Sequence, residues 1–128
     1  MAKETLVNEY IEETIELLNE LDNNGFPIEA ALWYYLSESE EWQFLIATKL
    51  VDEVGKKAVY QKLFDLINSK NILKSTPLRK ITVISPQDPL ISILRLAIVT
   101  GPQLSKIRFQ NNFINNVFIE DALIYRLQ

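Results

Sequence analysis

Residues 81–90, ITVISPQDPL, decide how the chain folds. Ile81–Ile84 is a short run rich in β-branched residues, which is typical of a buried strand. Residues 85–88 predict a turn, because serine, proline and aspartate all favour one. Asp88 is a good N-cap residue, and Pro89 suits the first position of a helix. The stretch therefore predicts a strand, a turn and a helix start within ten residues.

A turn of this kind is a common ligand site, because a helix N-terminus attracts anions. This turn is poorly suited to that role. It contains no glycine, and Pro86 and Pro89 lack the amide protons that would bind an anion. The Asp88 carboxylate would also repel one. We expect capping and turn formation here, with a ligand site as the alternative.

The segment Leu90–Val99 predicts a helix with almost no polar face. Only Ser92 and Arg95 interrupt its apolar residues. Gly101 suits a left-handed helix end, so we expect a helix over Pro89–Thr100. A helix that is apolar nearly all round is buried within its domain or at an interface. Contact between copies of the chain is therefore one prediction.

The first half of the chain predicts a helix, a β-hairpin and a second helix. The N-terminal segment has apolar residues at helical spacing, and Asn23-Asn24-Gly25 is a typical helix end. Both hairpin strands are rich in aromatic and aliphatic residues. We expect Trp33 and Tyr35 in the core, with a groove lining as the alternative. The predicted elements are helix 3–22, strands Ala30–Ser37 and Trp42–Lys49, loop Val51–Gly55 and helix Lys56–Ser69.

The second half predicts three strands around the apolar helix. Paired asparagines are turn candidates, because asparagine tolerates positive φ. The predicted segments are the basic connector 70–80, strands Ile81–Ile84, Lys106–Gln110 and Val117–Leu127, and turns at Asn111-Asn112 and Asn115-Asn116. The order α-β-β-α-β-α-β-β predicts an α+β fold of mixed layers, with about five mostly antiparallel strands and three helices. A length of 128 residues predicts one domain over residues 1–128.

The composition excludes several kinds of chemistry. There is no cysteine and no histidine, so disulfides, thiolate zinc sites and Ser-His-Asp or Cys-His mechanisms are excluded. The longest apolar run, Ala30–Leu36, is far shorter than the roughly 18 residues of a membrane span. An acidic amphipathic helix is predicted where a signal peptide would have its apolar core. We expect a cytoplasmic protein with no cofactor and no membrane contact.

The charge is distributed unevenly along the chain. The net charge of −4 combines −8 over residues 1–64 with +4 over residues 65–128. Glutamates four residues apart on the N-terminal helix form like-charge pairs, so its acidic face is either solvated or meets a basic partner. An acidic protein is a poor general ligand for nucleic acid. The alternative is a weak anion or nucleic-acid patch formed by Lys70, Lys74, Arg79, Lys80, Lys106 and Arg108.

Arg95 is predicted to pair with Glu120 or Asp121. Arg95 lies on an almost wholly apolar helix, and the two acids interrupt an otherwise apolar strand, so each needs a partner if it is buried. Three acidic groups could also bind Mg²⁺, although surface charge or internal pairing is the simpler interpretation. These groups are Asp52-Glu53, Glu120-Asp121, and Glu38 with Glu40 and Glu41.

Four motifs of the second half resemble those of a group of small uncharacterised bacterial proteins. They are Ser85-Pro86-x-Asp88-Pro89-Leu90, Thr100-Gly101-Pro102, Ile107-Arg108-Phe109 and Val117-Phe118-Ile119-Glu120-Asp121-Ala122-x-Ile124-Tyr125-Arg126-Leu127. The resemblance covers about residues 30–127. It implies a stand-alone bacterial domain with no assigned activity, and it supplies no catalytic residues.

The leading prediction is a non-enzymatic interaction domain that forms homo-oligomers through apolar surface. The apolar helix, the acidic N-terminal helix and the lack of catalytic motifs favour it. One alternative is a carboxylate- or Mg²⁺-dependent hydrolase or nuclease. The other is weak anion or nucleic-acid binding by the basic second half.

Overall fold

A computed structural model describes residues 4–128 and shows the predicted α+β fold. The helices are α1 (Asn8–Asn23), α2 (Leu50–Val54), α3 (Lys56–Lys70) and α4 (Pro89–Arg95). The strands are β1 (Ala30–Leu36), β2 (Glu41–Ala47), β3 (Ile81–Ile84), β4 (Ile107–Ile114) and β5 (Val117–Leu127). A single 3-10 turn, Leu78–Lys80, leads into β3. The element order agrees with the sequence, apart from the additional short helix α2.

The five strands form one sheet in the order β3-β2-β1-β5-β4. β2 and β3 are parallel, and the other neighbours are antiparallel. Asn115 and Asn116 form the predicted two-residue turn between β4 and β5, with φ of 49° and 68°. The predicted turn at Asn111-Asn112 is wrong, because both residues lie within β4. Asn111 nevertheless has the positive φ, 50°, that suggested a turn.

Alternating side chains of β1 enter two separate hydrophobic cores. Trp33 belongs to the core on the sheet face that α1 and α3 cover, which we call the helix face. Leu32 belongs to the core on the opposite face, which we call the lid face, together with Ile91 and Leu94 of α4. Trp33 and Tyr35 are 0% and 3% exposed, which confirms their predicted core position.

The N-terminal helix begins later than predicted. Residues 4–7 are extended and α1 starts at Asn8, so the prediction of a helix from residue 3 is wrong; residue 3 itself lies outside the described residues. The chain leaves the helical path because Glu4 binds the main chain of Trp42. The predicted end is confirmed, since Gly25 has φ of 72°. Here the Phe26 N–H donates to the Leu21 carbonyl, as at many helix ends.

The apolar helix is shorter than predicted. Asp88 caps α4 by accepting from the Leu90 N–H at 2.9 Å, as expected, but the helix ends at Arg95 instead of Thr100. Thr100 hydrogen bonds in both directions with Leu127 of β5, at 2.8 Å each. These bonds hold the chain against β5 and stop the helix. The prediction of a left-handed end at Gly101 is therefore wrong.

Two further boundaries differ from the sequence prediction. The sequence predicts a loop at residues 51–55, but the helix α2 forms there. At the start of α2, the Thr48 hydroxyl accepts from the Leu50 N–H. β4 extends to Ile114, four residues beyond the predicted end at Gln110, because it pairs with β5 up to the Asn115-Asn116 turn. Within residues 4–128, no helix is long and apolar enough to cross a membrane.

Candidate functional site

Glu4 and Lys80 form an ion pair beside Trp42, in which Lys80 is buried and Glu4 is partly exposed. Lys80 Nζ lies 3.0 Å from Glu4 Oε1 and donates to the Trp42 carbonyl at 3.2 Å. Glu4 Oε1 accepts from the Trp42 main-chain N–H at 2.8 Å. Burial opposes ionisation of Glu4, but the hydrogen bonds from Trp42 and Lys80 outweigh it and lower the pKa of this carboxyl. The pair ties the N-terminal segment to the start of β2.

Arg108, and not Arg95, is the partner of Asp121. Asp121 is 0% exposed and accepts from Arg108 Nε at 2.6 Å and from Arg108 Nη2 at 2.7 Å. Gln110 donates to the same carboxylate at 3.2 Å. The hydrogen bonds from Arg108 to Asp121 raise the pKa of Arg108. Gln110 of β4 is the register partner of Asp121 in β5. Arg108 lies two residues before Gln110 on the same face of β4, which makes it a diagonal neighbour of Asp121.

The prediction that Arg95 pairs with Glu120 or Asp121 is wrong. Arg95 donates to the main-chain oxygens of Gln128 and Pro86. Glu120 accepts from the Ser37 hydroxyl at 2.8 Å. The physical reason is that α4 ends at Arg95, near the last residue of the described chain, whereas both acids lie towards the start of β5. Each buried charge does find a partner, as burial requires, but from a different element.

The predicted anion patch is not one exposed surface. Lys80 is 2% exposed, so its inclusion in the patch is wrong. The Lys106 ammonium lies 3.8 Å from a Glu12 carboxylate oxygen, and Arg108 is bound to Asp121. These acids reduce the positive charge that the patch can present to an anion. The remaining members, Lys70, Lys74 and Arg79, are exposed.

The three acidic groups that suggested Mg²⁺ binding are dispersed. Asp52 accepts from the Ser85 hydroxyl at 2.9 Å, and Glu120 and Asp121 bind different partners. Glu38 and Glu40 are exposed in the turn between β1 and β2. Within the described part of the chain, no three carboxylates lie close enough to hold a metal ion.

Two polar clusters on α1 were not predicted from the sequence. The Thr14 hydroxyl accepts from the Trp33 indole N–H at 3.0 Å and lies 3.2 Å from the Tyr125 hydroxyl, with all three residues buried. On the adjacent residue of α1, the Glu13 carboxylate accepts from the main-chain N–H groups of Ser75 and Thr76. A threonine on the apolar stripe was the only sequence signal for the first cluster, and the second had none.

The segment Pro89–Ser105, which we call the lid, covers the lid face incompletely. Its residues Ile91 and Leu94 point towards the sheet and are fully buried. Leu96 and Val99 point away and are 68% and 70% exposed. Arg95 is the only charged residue among these 17. The prediction of a buried apolar segment is thus correct for its inner side only, and its outer side is an uncharged apolar surface.

A second apolar surface lies where β1 and β5 separate. Their pairing ends at Tyr34 and Ala122, although β1 continues to Leu36 and β5 begins at Val117. Ile119 and Ala122 both enter the lid-face core while three residues apart, so β5 changes face between them. The separated ends enclose a cavity of about 440 Å³. It is lined by Tyr34, Tyr35, Leu36, Ser37, Glu38, Ser39 and Phe118.

Two further cavities have polar walls. One, of about 340 Å³, is lined by Glu4, Arg108 and Asp121, whose charges already pair with one another or with Lys80. The other, of about 410 Å³, lies beside Arg126. The Arg126 guanidinium is bound by the Asp22 carboxylate at 2.7 Å. Both cavities are therefore lined by ion pairs that hold α1 or the N-terminal segment against the sheet.

No protein family matches the chain, and no curated protein or solved structure is significantly similar to it. The resemblance of residues 30–127 to small bacterial proteins therefore stays a prediction from the sequence. The lid surface and the cavity between β1 and β5 are the candidate functional sites.

Proposed function

We propose that this chain is a non-enzymatic interaction domain that self-associates through the outer surface of the lid. The exposure of Leu96 and Val99 in a 17-residue segment with one charge carries the proposal. The buried centre of a protein interface is depleted in charged residues. In a two-fold contact the same patch lies on both sides, so an uncharged patch avoids repulsion between like charges.

The one charge of the lid is directed into its own chain. Arg95 donates to the carbonyls of Gln128 and Pro86. A partner molecule would therefore not have to desolvate an unpaired guanidinium. Three lid residues, Leu90, Ile93 and Ile98, are half-buried and would lose further exposed surface in such a contact.

The size of the exposed surface supports moderate affinity. Burying a Leu or Val side chain fully stabilises by roughly 1.5–3 kcal/mol. For Leu96 and Val99 at their present exposure, two copies together give a gross gain of roughly 4–8 kcal/mol. Association costs about 4–15 kcal/mol in lost freedom. Half-buried neighbours must supply the rest, so we expect a dissociation constant in the micromolar range or weaker.

Three carboxylates that are buried or partly buried are occupied in the fold. Glu4 binds Lys80 and Trp42, Glu13 binds the connector before β3, and Asp121 binds Arg108. Each accepts hydrogen bonds that favour its charged, immobile form. Their roles in holding the fold together support the non-enzymatic part of the proposal.

The test is the solution mass of a lid variant beside a matched control. Leu96→Glu with Val99→Glu places two charges on the lid, whereas Leu78→Glu with Val54→Glu makes the same changes at exposed positions outside it. We expect light scattering after size-exclusion chromatography to show the lid variant as a monomer and the control as an oligomer. Equal masses for the two variants would overturn the proposal.

A further inference from the structure

The cavity between β1 and β5 combines aromatic walls with negative charge. Phe118 is 45% exposed at its edge and packs against Phe113, with ring centroids 5.0 Å apart and ring planes tilted by 49°. Tyr34 is half-buried in its wall. Glu38 is the one charged residue of the lining. The cavity, which is open to solvent, therefore offers aromatic side chains and a carboxylate side by side.

A second carboxylate lies at the same place. Ser37, which lines the cavity, donates to Glu120 at 2.8 Å. Burial, together with the carboxylates of Glu120, Glu40 and Glu4, raises the pKa of Tyr35. Several negative groups thus act on this end of the sheet, and the cavity lining contains no lysine or arginine to balance them.

Aromatic faces and carboxylates together favour an organic cation. The ring face attracts a cation through its quadrupole, and a carboxylate forms charge-assisted hydrogen bonds with it. Among protein side chains, arginine suits both contacts best, because its planar guanidinium stacks on rings and presents five donors.

We infer that this cavity binds an arginine side chain presented by a segment of a partner protein. Phe118 contacts the guanidinium plane, and Glu38, with Glu120 behind Ser37, neutralises its charge. The site does not involve the lid, so it is independent of self-association. It gives the acidic first half of the chain a specific contact with a basic partner.

The test is a titration of the full chain with two blocked peptides and one small guanidine, followed by NMR chemical shifts. The first peptide is acetyl-Ala-Arg-Ala-amide. The second replaces arginine with citrulline, which has nearly the same shape and no charge. The small guanidine is N-acetylagmatine, which has the same single charge and no peptide chain. We expect saturable binding of the arginine peptide, with shifts at Phe118 and Tyr34, and weaker binding of the other two ligands. Equal binding of the citrulline peptide would overturn the role of charge, and equal binding of N-acetylagmatine would overturn the partner segment.

Two variants locate the binding within the cavity. Glu38→Gln removes the charge, and Phe118→Leu removes the ring while it keeps an apolar side chain. We expect each to weaken binding of the arginine peptide by about threefold to fivefold, as for an exposed ion pair or cation–π contact. Glu53→Gln, at an exposed acid on α2, serves as the control and should leave the affinity unchanged. An affinity unchanged in both cavity variants, or no saturation with the arginine peptide, would overturn the inference.

Discussion

Thr14 holds three elements together, and its replacement by valine should measure what that contact contributes. The Thr14 hydroxyl donates to the Tyr10 carbonyl at 2.7 Å and accepts from the Trp33 indole N–H at 3.0 Å. Valine has nearly the same shape, so Thr14→Val removes the hydroxyl without opening a cavity. The Trp33 N–H then loses its acceptor inside the helix-face core, where both residues are 0% exposed.

The expected loss in the free energy of unfolding follows from the cost of leaving a buried hydrogen-bond donor without an acceptor. That cost is about 1–3 kcal/mol. The Tyr125 hydroxyl lies 3.2 Å from the Thr14 oxygen to which Trp33 donates, and it can take over part of the hydrogen bond, which places Thr14→Val at about 1–2 kcal/mol. In a domain of this size the melting temperature should fall by roughly 3–8 °C. Urea and thermal unfolding measure both quantities.

A double variant sharpens this prediction. Tyr125→Phe alone should cost about 1 kcal/mol. Combined with Thr14→Val it leaves the Trp33 N–H with neither acceptor, so the double variant should lose at least about 0.5 kcal/mol more than the sum of the single variants. Thr5→Val, at an exposed threonine, is the control. Strictly additive losses, or a cost of Thr14→Val below about 0.5 kcal/mol, would refute the shared hydrogen bonding.

Three other changes should affect stability in defined directions. Burial opposes ionisation of Glu13, but hydrogen bonds from Thr76 and Ser75 outweigh it and lower its pKa; its contribution is therefore present above the unfolded pKa and is lost as the pH falls through the folded pKa. Glu13→Gln should lower the urea midpoint of unfolding at pH 7 and make this midpoint fall less steeply as the pH is lowered. The same fall with pH in the variant and the unmodified protein would contradict this. Burial raises the pKa of Tyr125 to about 12, so its contribution to stability is complete below its unfolded pKa and is lost as the pH rises towards 12. Urea midpoints measured in alkali should therefore decline less in Tyr125→Phe than in the unmodified protein. An equal decline in both proteins would contradict this prediction. Asp22→Asn leaves the buried Arg126 guanidinium without its carboxylate, which should cost about 2–4 kcal/mol in chemical denaturation; a loss below about 0.5 kcal/mol would show that the pair contributes little.

The sequence predicted the start of a helix or a turn well where one or two residues determine the local backbone. Asp88 before Pro89 predicts the start of α4, and Asn115-Asn116 predicts the last hairpin turn, because capping and positive φ are local properties. The end of α4 could not be predicted in the same way. It depends on hydrogen bonds between Thr100 and Leu127, which are 27 residues apart.

Pairing between charged residues was the least predictable feature. Burial correctly implied that Arg95 and Asp121 need partners, but sheet register brings Arg108 to Asp121. The contact between Glu4 and Lys80 spans 76 residues and replaces the first turn of the predicted helix. The lid surface was partly predictable, because its apolar composition indicated an interface. Which of its residues are exposed could not be predicted, since that depends on where α4 ends.

The proposed self-association is tested most directly by sedimentation equilibrium of the unmodified chain over a series of concentrations. The exposure of Leu96 and Val99 on an uncharged lid predicts a mass that rises from that of one chain towards that of two as the concentration passes through the micromolar range. A mass that remains that of a single chain up to about 1 mM, well above the expected dissociation constant, would contradict the proposal.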